Sequence, residues 1–299
     1  MRDVMAKALF ALLRVLPFGA AGALGAFAGR LMSLGGGRSL HNARVNLALC
    51  FPEKTADERE RLARRNLVET GRALAQMLKI WLTDDHDWAK HVEGQSFMRL
   101  GRELVDRGKG MIIALPHLGN WEVIAYVITR IAPTTALYRP PRLAALDPVM
   151  RAGRARPGVQ PVPIDRQGLK EIHAALKRGE IIVILPDQVP KTAGASGVVA
   201  PFFGHPAMTM TLIGRLAHRH GSPVLFAYAL PDGGQQFRIH CFEGDAAIGD
   251  ASPEVAAAAL NRDVERCVRA APAFYQWSYR RFSIPGEREH NPYARASDD

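Results

Sequence analysis

The chain passes from an apolar run into a polar turn at Met111-Ile112-Ile113-Ala114-Leu115-Pro116-His117-Leu118-Gly119-Asn120-Trp121-Glu122. Gly110 precedes the five apolar residues and Pro116 follows them, which is the pattern of a short strand buried on both faces of a parallel sheet. After the turn, apolar side chains recur at helical spacing, at Trp121, Val123, Ile124, Val127 and Ile128. The segment therefore predicts one strand–turn–helix unit.

His117 lies in the predicted turn and Glu122 in the first turn of the predicted helix. On one continuous helix, positions five apart do not share a face, but a loop residue and a first-turn residue can meet. We expect the Glu122 carboxylate to fix the tautomer of the His117 ring and to leave its other nitrogen free as a base. Backbone amides near Gly119 and Asn120 would face a developing negative charge. This arrangement is typical of a site that activates a hydroxyl, although a histidine with a purely structural role fits the same spacing.

Strand and helix patterns alternate along the rest of the chain. A long amphipathic helix is predicted over 55–80, and shorter helices over 168–178, 209–220 and 253–269. Strands are predicted over 134–137, 180–185, 223–230 and 236–242. This alternation is typical of an α/β fold in which a mostly parallel central sheet is flanked by helices. Open sheets of this kind bind ligands at the carboxyl ends of their strands, which is where His117 is expected.

The amino terminus is apolar and rich in glycine and alanine. Fifteen uncharged residues separate Arg14 from Arg30, fewer than the ~20 that a helix needs to span the hydrocarbon core, unless the two arginines snorkel to opposite interfaces. We expect residues 1–36 to be a membrane-anchoring helical segment, residues 37–290 the catalytic domain and residues 291–299 a flexible tail. A cleaved signal peptide and an interfacial helical hairpin are the alternatives for the first segment.

The charge of the chain favours anionic partners. Lys and Arg total 39 against 29 for Asp and Glu, a net charge of +10, which suits acidic lipid headgroups, phosphorylated substrates or nucleic acid. Nucleic acid is not expected, because the sequence has no zinc-finger spacing, no RNA-binding aromatic signature and no basic-region heptads. Cys50, Cys241 and Cys267 are widely spaced, so no metal site is expected, and scattered thiols fit a reducing compartment.

Ordered motifs between about residues 40 and 285 resemble one known family. His117 to Glu122 matches the His-x4-Asp/Glu motif of the glycerolipid acyltransferase superfamily. The flanking segments resemble the late acyltransferases of bacterial lipid A biosynthesis, the lauroyl and myristoyl transferases. These segments are Asn46-Leu47 with Phe51-Pro52-Glu53, Tyr138-Arg139-Pro140, Asp187-Gln188, Pro201-Phe202-Phe203-Gly204 with Pro206-Ala207 and Thr209, and Trp277 with Arg280-Arg281-Phe282. The His-x4-Glu motif alone is a weak signal, whereas the ordered set is a strong one.

The resemblance implies an acyl-carrier-protein thioester as donor, a phosphorylated, Kdo-bearing lipid A precursor as acceptor, and no metal or organic cofactor. It also implies an uncleaved amino-terminal segment in the bacterial inner membrane, with the catalytic domain facing the cytoplasm. A basic surface would suit the acidic carrier protein, the lipid phosphates and the anionic bilayer together.

Five further side chains are candidates for substrate binding. Arg139 follows the strand predicted over 134–137, so it should open onto the same sheet edge as His117, where a guanidinium can hold a phosphate bidentately. Arg151 and Arg154, at positions i and i+3, would share a helix face. By the resemblance, this arginine region contacts the phosphorylated acceptor or assists the chemistry; solvated surface charge is the alternative. Asp187 and Gln188 follow the second buried strand and would line the pocket or order a loop.

These residues predict direct acyl transfer without a covalent enzyme intermediate. His117 would take the proton of the acceptor hydroxyl, while Glu122 orients the ring and stabilises the imidazolium. A lysophospholipid or another membrane glycolipid is an alternative acceptor. The alternative functions are a hydrolase that activates water with the same pair, and a non-catalytic protein that binds membranes through its charge.

Overall fold

A seven-stranded sheet lies at the centre of the chain, whose computed structural model describes residues 2–83, 88–138, 141, 144–155, 158–190, 196–286 and 291–294. The helices are α1 Arg2–Val15, α2 Phe18–Leu34, α3 Arg38–Cys50, α4 Ala56–Leu82, α5 Gln95–Val105, α6 Ala125–Ile128, α7 Asp147–Ala155, α8 Arg166–Lys177, α9 Leu212–His220 and α10 Pro253–Ala270. The strands are β1 Val92–Glu93, β2 Met111–Ala114, β3 Thr134–Tyr138, β4 Val159–Pro163, β5 Ile181–Ile184, β6 Gly197–Phe202, β7 His205–Met210, β8 Val224–Pro231 and β9 Phe237–Glu243.

The strand order in the sheet is β1-β9-β8-β2-β5-β3-β4. The five strands from β8 to β4 are parallel to one another. β9 runs antiparallel to β8 and pairs in parallel with β1, while β6 and β7 form a separate antiparallel hairpin. The prediction of an α/β fold with a mostly parallel central sheet flanked by helices is therefore confirmed.

The core lies on both faces of the sheet because successive side chains of a strand point to opposite sides. Ile112 and Ala114 of β2 belong to one apolar cluster, and Met111 and Ile113 belong to the other. Both β2 and β5 are buried along their whole length, as their unbroken apolar sequences predict.

The pairing of β2 with β5 sets the position of two polar residues. Ala114 lies opposite Ile184, and the N–H of Leu115 donates to the carbonyl of Ile184 at 3.1 Å. Each strand is then followed by a Leu-Pro pair. Since parallel strands end at the same edge, the next residues, His117 on one strand and Asp187 on the other, emerge side by side.

Two amino-terminal helices pack on the long helix α4. The amphipathic helix predicted over 55–80 is confirmed as α4, and a capping box formed by Thr55 and Glu58 begins it. α2 lies so close to α4 that a Cβ on Gly25 would sit 2.2 Å from the carbonyl oxygen of Gly71. Among the residues described, none of the helices combines the length and the apolar character needed to cross a bilayer.

Two local predictions are corrected by tertiary pairing. The helix predicted over 209–220 begins only at Leu212, because Thr209 belongs to β7 and pairs with Val198 of β6. The helix predicted after His117 is short and starts as a 3₁₀ turn, Trp121–Ile124, which continues into α6. In both places strand pairing or a tight turn overrides the local apolar spacing.

The carboxyl end is packed more firmly than predicted. Tyr293 is fully buried. Its hydroxyl donates to Asn46 Oδ1 at 2.5 Å and accepts from the N–H of Phe282 at 3.0 Å. A flexible tail beginning at residue 291 is therefore wrong for residues 291–294, whereas residues 295–299 lie outside the described residues.

Candidate active site

His117 is bound to Asp187 at the carboxyl edge of the sheet. Its Nδ1 lies 2.7 Å from Asp187 Oδ1, and its backbone N–H donates to Asp187 Oδ2 at 2.9 Å. Burial raises the pKa of the Asp187 carboxyl, but the charge and hydrogen bonds of His117 outweigh burial and hold that pKa below its usual value. Asp187 is therefore a carboxylate that accepts from Nδ1. In the neutral tautomer that this contact favours, Nε2 presents a lone pair.

Tyr275 gives Asp187 a third hydrogen-bond partner. The phenol is almost completely buried. Burial, followed by the charge of Asp187, raises the pKa of Tyr275 well above its usual value. The hydroxyl therefore stays protonated and donates to the carboxylate, which also accepts from the ring and backbone N–H groups of His117.

Gln188 and Trp121 flank the His117 ring. The side-chain Nε2 of Gln188 lies 3.0 Å from His117 Nε2, where it donates to the lone pair. The next backbone N–H, of Val189, donates to the Tyr279 hydroxyl at 2.9 Å. The Trp121 ring stands edge-on to the imidazole with 5.0 Å between ring centroids. The His117 ring is thus contacted by Asp187, Gln188 and Trp121.

Glu122 does not hold the His117 ring. Its carboxylate accepts from Arg154 Nη2 at 2.5 Å, from Trp81 Nε1 at 3.0 Å and from Trp121 Nε1 at 3.1 Å. Within the part of the chain described, no hydrogen bond joins Glu122 to the ring of His117. The prediction that Glu122 orients this ring is therefore wrong, since the guanidinium of α7 draws the Glu122 side chain away and the neighbouring strand supplies Asp187 instead.

The amides predicted to stabilise an oxyanion are already engaged. The N–H of Gly119 donates to the carbonyl of Phe274 and that of Asn120 to the carbonyl of Ala229, each at 3.0 Å. Gly119 has φ +65°, and a Cβ there would meet the carbonyl oxygen of Ala229 at 2.1 Å. The loop pairs like a strand with both neighbours, so its amides serve the fold. The buried Asn120 side chain has no hydrogen-bond partner among the described residues.

The structure treats the three arginines predicted to bind substrate differently: one reaches the site, one is exposed and one is not described. Arg154 reaches Glu122 from α7; burial lowers its pKa, but the charge and hydrogen bonds of Glu122 outweigh this and raise it. Arg151, on the same helix, is exposed, so the structure brings only one of the pair to the site. Arg139 lies outside the described residues.

A small apolar pocket, with a cavity volume of about 50 Å³, opens beside the site. Leu115 and Trp121, which lie near His117, line the pocket, and Glu122 and Arg154 are its charged lining residues. The apolar walls include Ile124, Ile128, Val159 and Val183. No group of three or more His, Cys, Asp or Glu side chains among the described residues is placed to hold a metal ion.

The segment after α10 supports the His117 loop from behind. The N–H of Gln276 donates to the carbonyl of His117 at 3.0 Å. Asn66 of α4 fixes this segment by donating to the carbonyls of Ala273 and Tyr275. Tyr275 and Trp81 were not recognised from sequence, because each is an apolar-patterned aromatic whose polar atom finds its partner only in the folded chain.

The chain is similar in sequence to a known family of enzymes. The sequence profile of the family described as bacterial lipid A biosynthesis acyltransferase matches residues 3–283. The chain is 30% identical to the lipid A biosynthesis lauroyltransferase of Escherichia coli (strain K12) over 246 residues, which cover 81% of this chain and 78% of that protein. It is 28% identical to the palmitoleoyltransferase of the same organism over 252 residues, 84% of this chain and 81% of that protein. The chain therefore belongs to the bacterial lipid A biosynthesis acyltransferases and is an enzyme that transfers acyl groups.

Proposed function

We propose that this acyltransferase moves a fatty acyl group from an acyl-carrier-protein thioester to a hydroxyl of a phosphorylated, Kdo-bearing lipid A precursor, with His117 as the general base. The observation that carries the proposal is the His117–Asp187 pair at the carboxyl edge of β2 and β5. Asp187 fixes the proton on Nδ1, so Nε2 is the nitrogen that can take a proton from an acceptor.

The reaction needs no covalent enzyme intermediate. Nε2 of His117 takes the hydroxyl proton as the acceptor oxygen bonds to the thioester carbonyl carbon, and the carbonyl oxygen becomes negative. The carbon–sulfur bond then breaks, and the departing sulfur takes the proton from His117. Asp187 stabilises the imidazolium between these two steps, because its negative charge lies against Nδ1.

The apolar pocket beside Trp121 supports an acyl group as the transferred unit. Trp121, whose ring contacts the imidazole, lines it, and eight of its eleven lining residues are aliphatic. Apolar surface favours burial of an acyl chain and excludes water from the thioester. In this arrangement Glu122 and Arg154 form a fixed ion pair in the pocket wall, and the Glu122 carboxylate also accepts from the indoles of Trp121 and Trp81.

Exposed apolar side chains on α1 and α2 support attachment to a membrane. Eight of the twelve exposed large hydrophobic side chains among the described residues lie on these two helices. They are Leu9, Leu12, Val15, Leu24, Phe27, Leu31, Met32 and Leu34. A patch of this kind on a basic protein suits the interface of an anionic bilayer. Attachment of residues 1–36 to the bacterial inner membrane, with the catalytic domain 37–290 facing the cytoplasm, gives the enzyme access to a lipid acceptor and a soluble donor.

The test is mass spectrometry of a reaction that contains detergent-solubilised enzyme, an acyl-carrier-protein thioester and a Kdo-lipid A precursor. The wild type should add one acyl mass to the precursor, and His117→Gln should not. His240→Gln, which changes a histidine on β9 away from the site, is the matched control and should remain active. Release of free fatty acid without an acylated lipid would contradict the transferase and support the hydrolase. Acylation by His117→Gln at the wild-type rate would contradict the role of the base.

A further inference from the structure

We propose that the side-chain amide of Gln188 is the hydrogen-bond donor to the oxyanion in this reaction, and that in the free enzyme the same amide covers the lone pair of His117 Nε2. The inference rests on the acyl transfer proposed above. It starts from the 3.0 Å contact between Gln188 Nε2 and His117 Nε2.

The backbone around His117 offers no uncommitted donor. Each N–H from residue 117 to residue 120 already has an acceptor: Asp187, Pro116, Phe274 and Ala229 in turn. Arg154 is occupied by Glu122. The negative oxygen of the tetrahedral intermediate needs a donor within about 3 Å, and a backbone amide that is committed to the fold cannot turn to supply it. Among the described side chains bonded to the ring, only Gln188 carries N–H groups that can be redirected.

The position of Gln188 also means that it must move when the acceptor binds. A hydroxyl that gives its proton to Nε2 occupies the direction in which the Gln188 amide now lies. The backbone on both sides is fixed, because Asp187 binds His117 and the N–H of Val189 binds the Tyr279 hydroxyl. The half-buried side chain can therefore turn while its backbone stays in place.

A short rotation brings the amide to the developing charge. The carbonyl carbon of the thioester must approach the acceptor oxygen. The carbonyl oxygen bonded to that carbon therefore lies beside the position that the Gln188 amide left when the hydroxyl entered. The carbonyl oxygen gains its negative charge as the oxygen–carbon bond forms, and the Gln188 N–H then donates to it. The charge returns to the carbonyl when the carbon–sulfur bond breaks, so the amide transfers no proton and ends unchanged.

The kinetic test compares Gln188→Ala with the wild type in the acylation assay. Loss of an oxyanion donor lowers kcat by roughly 10²–10³-fold, with KM for donor and acceptor little changed. Gln188→Glu keeps the shape but is acceptor-only when ionised, so it should not restore kcat. A wild-type kcat in Gln188→Ala, or full activity in Gln188→Glu at neutral pH, would overturn the proposal.

A second measurement needs no substrate. With ¹⁵N-labelled histidine, the His117 Nε2 resonance reports whether its lone pair accepts a hydrogen bond. Gln188→Leu keeps the bulk and removes the donor, so this resonance should move toward that of a free imidazole nitrogen; an unchanged resonance would overturn the covering role. If the wild type transfers no acyl group, the proposed function fails, and the NMR comparison still decides whether the amide covers the base.

Discussion

At the residue scale, two buried carboxylates near His117 have separate tasks. Asp187 lies against Nδ1, where the proposed mechanism forms an imidazolium. Glu122 lies against Arg154, which neutralises it. A carboxylate that faces a charge formed during the reaction affects the rate, whereas one in a permanent ion pair mainly affects the fold. Mutations at the two positions are therefore expected to change different measured quantities.

We expect Glu122→Gln to destabilise the protein. The substitution leaves the largely buried guanidinium of Arg154 without its counterion and should lower the free energy of unfolding by up to about 3 kcal/mol. The loss is smaller than for a fully buried pair because Arg154 is partly exposed. Urea unfolding followed by circular dichroism measures it. Glu60→Gln removes an exposed partner of Arg44 and Arg64 and should cost less than about 1 kcal/mol. Equal costs at both positions would contradict the assignment.

The sequence identified the residues around His117 but predicted the wrong partner for its ring. His117, Glu122, Asp187 and Gln188 were all candidates, and all four lie at the site. The partner of His117 depends on strand register, which short-range spacing does not contain. One signal was present: the two buried strands end alike, in Leu-Pro-His and Leu-Pro-Asp. Aligning these ends would have placed Asp187 opposite His117.

At the element scale, the packing of α2 on α4 depends on glycine. Gly25 and Gly71 bring the two backbones into contact, and a Cβ on Gly25 has no room. Strand and helix periodicity recovered most of the elements, including β2, β5 and α4. The hairpin of β6 and β7 was missed because its stability comes from pairing between the strands, not from apolar alternation alone.

Gly25→Ala tests this contact. The added methyl should force the helices apart and lower the free energy of unfolding by about 1–3 kcal/mol. Gly19→Ala is the matched control on the same helix, where a Cβ meets nothing within 4 Å, and it should stabilise the helix by up to about 1 kcal/mol. Thermal unfolding of both variants decides the matter, and a Gly25→Ala protein as stable as Gly19→Ala would contradict the close packing.

A histidine pair between α8 and α9 gives a pH dependence. Nδ1 of His173 lies 2.8 Å from Nε2 of His220. Burial lowers the pKa of both rings below 6.5, and nearby positive charges lower it further: those of His220, Arg219 and Lys177 for His173, and those of Arg219 and Lys177 for His220. The unfolded chain therefore binds more protons just below pH 6.5, so the contribution of the pair to stability is complete above that pH and is lost as the pH falls.

His220→Gln should show a smaller fall in Tm between pH 7.5 and 5.5 than the wild type, because one depressed pKa has been removed. His218→Gln, on the same helix and bonded to the carbonyl of Gly249, should keep the slope of the wild type. Scanning calorimetry at several pH values measures the three slopes. A wild-type slope in His220→Gln would show that the pair does not titrate as argued.

At the scale of the whole molecule, the proposed function requires the apolar surface and the site to serve one membrane-bound substrate. Phe27 and Leu31 are 59% and 54% exposed on α2, and α2 packs on α4, whose Trp81 binds Glu122 in the pocket wall. The fold therefore connects the apolar face to the site through a single long helix. Hydropathy predicted an apolar amino terminus, but only the packing shows which of its side chains stay exposed.

Phe27→Ser with Leu31→Ser should weaken binding to anionic phospholipid vesicles, because both substitutions remove apolar surface from the interface. Flotation of the full chain with vesicles measures the bound fraction. Val255→Ser is the control, since Val255 is 46% exposed on α10 and lies outside the patch. Equal binding by the double variant and the wild type would place the membrane contact elsewhere.

The most direct test of the central claim is the acylation rate of Asp187→Asn beside that of Glu122→Gln. The asparagine keeps the shape but cannot stabilise the imidazolium or fix the tautomer, so the rate should fall by roughly 10³–10⁴-fold. Folded Glu122→Gln should lose far less. Acylation by Asp187→Asn near the wild-type rate, with a large loss in folded Glu122→Gln, would contradict the account and return the ring-orienting role to Glu122.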